Sequence, residues 1–581
     1  MWRYRTMTSR QIINLNCHWL SVFIFITAIL SITCNPLSEI QLPKEIVFND
    51  NKTNISSDVG SYENATLFYR DNDLSKQLDK SNDNQTNNIH RYEEEKSWLS
   101  YWNSRKQEYT LSMILEAVFD AFTGGLSNIV SNVLGNDSKN SRVVANRVNY
   151  KGHQLLRVYS VANEQRDELQ EMRESDSNEI KFWTESYDNK SIDIIAAPDV
   201  INDVKDYLRD RNMEFEILLT DLQKVIANQN PKMSKEQRDD LMTNQGHSMT
   251  WKRYHRLGDI MKYLDYLAST YPSLVKLETI GRSYEGQPLK VVKISSGKKK
   301  SGATKPTVWI DAGIHAREWI SIAVATYILS QLVEKNTSYT KLLDKTDWMI
   351  MPVANPDGYE FTHTGDRLWR KTRSNHEDNT EARYTPSGFF HLVAHYTKWF
   401  WERCEGVDPN RNFDYYWGED KIRSDSVSAD PCHETYEGPR AFSEPETKAM
   451  ADYIMSHRED IKLYLTLHSY NQMWLVPWGH THKKPSDYAE LVNVANKAAR
   501  AIEKVYGTTY RVGCSSDLLY PTTGASDDWA KGVAGIKYSY TLELRDRGTY
   551  GFLLPASQII PTARETWAGV RAIARLVANA S

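Results

Sequence analysis

Residues 251–581 are patterned by short apolar runs set between longer stretches in which apolar residues recur every three or four positions. The runs "PLKVVKIS", "TVWIDAG", "DWMIMPVA", "IKLYLTLHSY" and "IKYSYTLELRD" predict strands. The stretches "ISIAVATYILSQLVEK" and "YAELVNVANKAARAIEKVYG" predict helices. Strands alternating with helices argue for an α/β fold, a sheet with helices on both faces. Such sheets bind ligands at the carboxyl ends of their strands. His315 follows "TVWIDAG", His468 follows "LYLTL" and Glu543 closes "KYSYTLE", so all three fall at strand ends.

The pattern changes before residue 251. Residues 148–228 read as a small α+β unit. In it "HQLLRVYSV" and "SIDIIAA" are strands, "DVINDVKDYLRDR" is an amphipathic helix, and "FEILLTDLQKVI" is a closing strand and turn. Residues 229–250 are polar and carry Lys232, Lys235 and Arg238, as in a linker open to a trypsin-like protease. Residues 34–147 are mostly Asn-, Asp-, Ser-, Lys- and Glu-rich and read as a low-complexity, disordered extension. Within it, 109–135 has helical apolar spacing broken by Gly124 and Gly125. Arg3, Arg5 and Arg10 precede an apolar core at 19–32, the layout of a secretory signal covering residues 1–33. That core is shorter than the roughly 18–20 residues that span a bilayer, so no stable membrane insertion is expected. An uncleaved anchor is the alternative.

A length of 581 residues predicts about two to four domains. The net charge of −4, with signs mixed along the chain, gives no case for nucleic acid or an anionic membrane as partner. A secreted, extracellular monomer is expected. Asn51, Asn54, Asn64, Asn84, Asn136, Asn189 and Asn336 begin glycosylation sequons. Of the five cysteines, Cys17 and Cys34 lie in or beside the signal, Cys404 and Cys432 are the expected disulfide, and Cys514 is left as a buried thiol.

Hydrolytic zinc takes three protein ligands and leaves one place for water. His315 and Glu318 can supply two donors from one turn, and His468 is the best-placed third. A His2Glu set suits a zinc peptidase, and the absence of HExxH excludes the thermolysin-like layout.

The motifs "GIHAREWI", "VANPDGYEFTH", "RLWRKTRS", "GVDPNRNF", "LTLHSYNQ" and "YTLELRDRGTYGFLLPASQIIPTA" resemble, in order, those of the zinc carboxypeptidases of the digestive A/B type. Residues 148–228 resemble their pro-domain, which masks the active site. The resemblance implies a mixed, mainly parallel twisted sheet, one Zn2+ bound by His315, Glu318 and His468, and removal of residues from peptide or protein C-termini after cleavage by an activating protease. It implies Glu543 as general base and Arg370 as oxyanion stabiliser. Asn410 and Arg411 would read the terminal carboxylate, with Tyr520 closing over it. Arg317, Ser469, Tyr470 and Phe552 would line neighbouring subsites. Asp527, just before the second Asp of "SDDW", would floor the side-chain pocket, as in B-type enzymes that remove Lys and Arg. Preference for apolar or aromatic ends is the rival reading, and a non-catalytic binding protein keeping the fold is another.

Three places depart from the pattern. Residues 375–403 form a long insertion, polar then aromatic, read as a surface feature or translated intron. His391 and His395 in it have helical metal-ligand spacing, but the zinc positions are already filled. Arg547 stands where the family commonly has a small polar residue, and "DWAKGVAGIKY" is one residue longer than the family's usual pattern.

Overall fold

The computed structural model describes residues 147–159, 179–183, 191–297, 304–375, 404–419 and 427–580, with Gln165, Glu168, Leu169 and Met172. The signal, the extension with its 109–135 segment and nearly all of the 375–403 insertion, His391 and His395 included, lie outside the described residues.

The N-terminal unit is one antiparallel sheet of four strands in the order β2-β3-β1-β4. These are β1 (Gln154–Tyr159), β2 (Ile180–Phe182), β3 (Ser191–Ala196) and β4 (Phe215–Leu219). Helix α1 (Ile201–Asp210) lays Val204, Tyr207 and Leu208 against Leu156, Val158 and Ile194 of the sheet. The stretch after β4 is a helix, α2 (Leu222–Gln229), where the sequence pattern suggested a turn. Asp221 starts it by accepting from the Lys224 N–H at 3.2 Å. The polar linker likewise holds a helix, α3 (Lys235–Gln245), closed by a capping box between Ser234 and Gln237. None of its residues is buried, so no apolar stripe announces it.

The main sheet has eight strands in the order β11-β10-β12-β9-β7-β8-β6-β5. Helix α4 (Leu257–Thr270) precedes β5 (Val275–Arg282), β6 (Pro288–Ile294) and β7 (Thr307–Ala312). Next come α5 (Trp319–Val333), β8 (Asp347–Met351), α6 (Pro356–Thr364), α7 (Pro445–Ser456), β9 (Ile461–His468) and β10 (Met473–Val476). The chain ends with α8 (Tyr488–Tyr506), β11 (Arg511–Cys514), α9 (Ser526–Gly532), β12 (Tyr538–Glu543) and α10 (Ile559–Ala580). The central pairs β12–β9, β9–β7 and β7–β8 are parallel; β5–β6, β6–β8 and β10–β12 are antiparallel. One face packs on α4, α5, α8 and α10, and the other on α7 and Trp529 of α9. That two-sided cover is why β7 is buried at every position and reads as a continuous apolar run. No helix among the described residues is long and apolar enough to cross a membrane. The Cys404–Cys432 disulfide is formed, and Cys514 is a buried free thiol.

Candidate metal centre and substrate cleft

Parallel β7, β9 and β12 are neighbours and end on the same edge of the sheet. Ala312 pairs with Leu467, and His468 pairs with Glu543. Beyond β7 the chain turns at Gly313, whose φ is +66° and where a Cβ would stand 2.5 Å from Ile322. Only glycine makes that turn without strain. Ser321 ties the turn down: its Oγ accepts from the Gly313 N–H at 3.1 Å and donates to the Glu318 carbonyl at 2.8 Å.

The turn faces His315 and Glu318 toward His468. His315 Nδ1 lies 2.7 Å from Glu318 Oε1, and His468 Nδ1 lies 3.2 Å from both His315 Nδ1 and Glu318 Oε2. All three side chains are buried, with their donor atoms within 4.8 Å of one another. Tetrahedral zinc at about 2.0–2.1 Å from each donor needs donors about 3.3 Å apart, close to these separations. The electrostatics agree. Burial works to lower the His468 pKa, but the Glu318 and Glu543 carboxylates outweigh it and hold it at about 9. Burial likewise opposes ionisation of Glu318, but His315 and His468 outweigh it and hold the carboxyl well below its ordinary range. A site whose carboxylates favour positive charge on its histidines is one where a small dication can take the place of their protons.

Asp408, fully buried, supports this set. Its Oδ1 lies 3.1 Å from His315 Nε2 and accepts from the Asn410 N–H at 2.9 Å. Its Oδ2 accepts from Arg370 Nε and Nη2 at 2.9 and 2.8 Å. A carboxylate on Nε2 leaves Nδ1 of His315 as the lone-pair nitrogen. Sequence reading passed over Asp408, although it opens the same "DPNRN" motif as Asn410 and Arg411.

One cleft is lined by the zinc donors, Glu543, Arg370, Asn410, Arg411, Tyr520 and Asp527, and by Arg317, Ser469, Tyr470 and Phe552. Burial first, with the Glu318 charge, pushes Glu543 up to about 8 against the pull of His468. Arg545, two residues further on, donates to Glu565 and Gln558. Arg547 also turns away, donating to the Thr509 carbonyl at 2.9 Å. The Ser469 N–H donates to Glu318 Oε2 at 3.0 Å. Arg317 donates to Glu434 at 2.9 Å and lies 4.2 Å over the Phe552 ring, a pairing the sequence did not announce.

The N-terminal unit enters this cleft. Phe182 and Trp183 line it, and the Trp183 ring lies 5.4 Å from that of Phe552. Gly551 makes room: its φ is +52°, and a Cβ there would stand 2.4 Å from Trp183 Nε1. The end of α2 is strapped down as well. Gln229 donates to the Phe552 and Leu554 carbonyls and accepts from Arg367 Nε at 2.9 Å. Tyr150 donates to Asp366 at 2.8 Å.

A family model described as zinc carboxypeptidase matches residues 260–569, and one described as carboxypeptidase activation peptide matches residues 156–229. Carboxypeptidase B of Astacus astacus is 44% identical over 329 residues, 57% of this chain and 98% of that protein. Carboxypeptidase A2 of Mus musculus is 37% identical over 428 residues, 73% of this chain and 93% of that protein. Among solved structures, thrombin activatable fibrinolysis inhibitor matches with a TM-score of 0.63 at 32% identity, over 74% of this chain and 100% of that one. Carboxypeptidase A from Helicoverpa armigera matches with a TM-score of 0.60 at 26% identity, over 74% of this chain and 99% of that one. The chain therefore belongs to the zinc carboxypeptidases, a hydrolase family, and carries an activation peptide ahead of its catalytic domain and one zinc site at His315, Glu318 and His468.

Proposed function

We propose that this zymogen is secreted and that, once cut by a trypsin-like protease in the 229–250 linker, it removes single C-terminal residues from peptides and proteins, with preference for Lys and Arg. His315, Glu318 and His468 would hold zinc, which would supply Lewis acidity toward a water and the scissile carbonyl. Glu543 takes a proton from the attacking water and delivers it to the leaving amine. Its place beside His468 in the strand register, half-buried and with Arg545 turned to Glu565, supports the role. Arg370, held by Asp408, sets its guanidinium where the carbonyl oxygen becomes negative. Asn410 and Arg411 bind the terminal carboxylate, and Tyr520 covers it.

The observation that carries the basic preference is Asp527, 3% exposed in the cleft, its Oδ2 lacking a hydrogen-bond partner among the described residues. A buried carboxylate oxygen without a donor is costly, and a Lys or Arg side chain supplies what it lacks. The test compares release from Arg-ended and Phe-ended peptides by the trypsin-treated chain, with and without a zinc chelator. Faster Phe release, or a rate that the chelator leaves untouched, would refute the proposal.

A further inference from the structure

We infer that Asp527 and Asp528 form a pocket floor that holds one stable negative charge, so that selectivity for a basic C-terminal residue is gated by pH, full above neutrality and fading below it. The inference rests on the basic preference proposed above and adds a mechanism to it.

The two residues are consecutive in the first turn of α9, 3% and 1% exposed. Asp528 is the one the fold surrounds with donors. Both its oxygens lie 2.9 Å from the Gly479 N–H, and Oδ2 also accepts from the His480 N–H at 2.9 Å and faces His480 Nδ1 at 2.8 Å. Among the described residues no such set of donors reaches Asp527. Its Oδ2 is unpartnered among the described residues. Thr541 of β12 provides one bond, and His468 of β9 lies near enough to favour ionisation, whereas Glu543 of β12 adds a like charge. Tyr464 of β9 is buried beside it, and Arg411 lines the same cleft. A second carboxylate charge next to a fixed one, out of water, is disfavoured. Burial first, then the Asp528 charge, pushes the Asp527 carboxyl up to about 7.

A substrate Lys or Arg side chain displaces this proton, which leaves to solvent, and an ion pair forms. A Leu side chain is best received by the protonated carboxyl. The two complexes then differ by up to one proton, and by linkage the ratio of their kcat/KM values changes by up to about tenfold per pH unit. Protonation of groups used by both substrates cancels in that ratio.

The experiment measures kcat/KM of the trypsin-activated chain from pH 5.5 to 8.5 on two peptides differing only in a C-terminal Arg or Leu. The Arg/Leu ratio should rise roughly tenfold to a hundredfold with pH. Asp527→Asn should leave a low, flat ratio, and Asp528→Asn should move the rise to lower pH. A high ratio that is flat in the parent chain overturns the inference, as does a rise that survives Asp527→Asn. Should Asp528→Asn fail to fold, the Asp527→Asn comparison decides alone. No Arg preference even at pH 8.5 would instead refute the basic-pocket reading itself.

Discussion

Replacing Trp183 by alanine should make the uncleaved chain leak activity. The indole is 3% exposed and packs with Leu155 and Ile195 of its own unit and with Tyr470 and Phe552 of the catalytic domain. Truncating a buried Trp costs about 3–5 kcal/mol. Its contacts divide between the two units, so about 2 kcal/mol falls on docking and the rest on the N-terminal unit itself. At about 1.4 kcal/mol per factor of ten, the open population grows about thirtyfold. The assay is turnover of a small peptide substrate by full-length protein in which Lys232, Lys235 and Arg238 are all glutamine, normalised to the activity of the cleaved parent chain. Trp183→Phe is the control. It keeps an aromatic ring on Phe552 and removes an Nε1–H that has no partner among the described residues, so it should leave the cleft closed. Equal activity of Trp183→Ala and the parent chain, or equal leak from the Phe and Ala variants, would refute the plug argument.

Asp408→Asn loosens both His315 and Arg370 and should weaken zinc binding by about tenfold to a hundredfold, read by metal loss on dialysis against a chelator. Glu543→Gln should retain zinc while kcat falls by about 10²–10⁴, because the donors stay and the proton acceptor goes; an unchanged kcat would remove Glu543 from the mechanism. Glu446 tests stability against pH. It is buried, with Oε1 accepting from the Tyr284 N–H at 2.9 Å and Oε2 unpartnered among the described residues, and burial pushes its carboxyl up to about 8. The native chain therefore binds this proton more tightly than the unfolded chain, and its contribution to stability is lost as pH rises from about 4.5 through about 8. Glu446→Gln should gain on the order of a few kcal/mol relative to the parent at pH 9 and little at pH 4.5. Equal shifts at both pH values, by denaturant unfolding, would contradict this.

Local pattern accounts for what was legible. The strands β6, β7, β8, β9 and β12 and the helices α5 and α8 announce themselves because their apolar spacing follows directly from burial. Strands β5, β10 and β11 do not. β5 has only one fully buried position, and the other two are four-residue runs that become strands only through their neighbours. α3 hides for the opposite reason, since a helix that buries nothing has no stripe, and only the Ser234-x-x-Gln237 cap marks it.

By itself the sequence determined the α/β class, the donor types and their position after strands, because composition, period and short motifs are local properties. It could not determine what those donors face. His315 and His468 are 153 residues apart, and it is the β12-β9-β7 order and register that sets them beside each other and beside Glu543. The same non-local packing gives Asp408 to His315 and Arg370 at once, takes Arg545 away to Glu565, and seats Trp183 over Gly551. A side chain's chemistry is written at its own position, but its partners belong to other strands, and only the folded sheet chooses them.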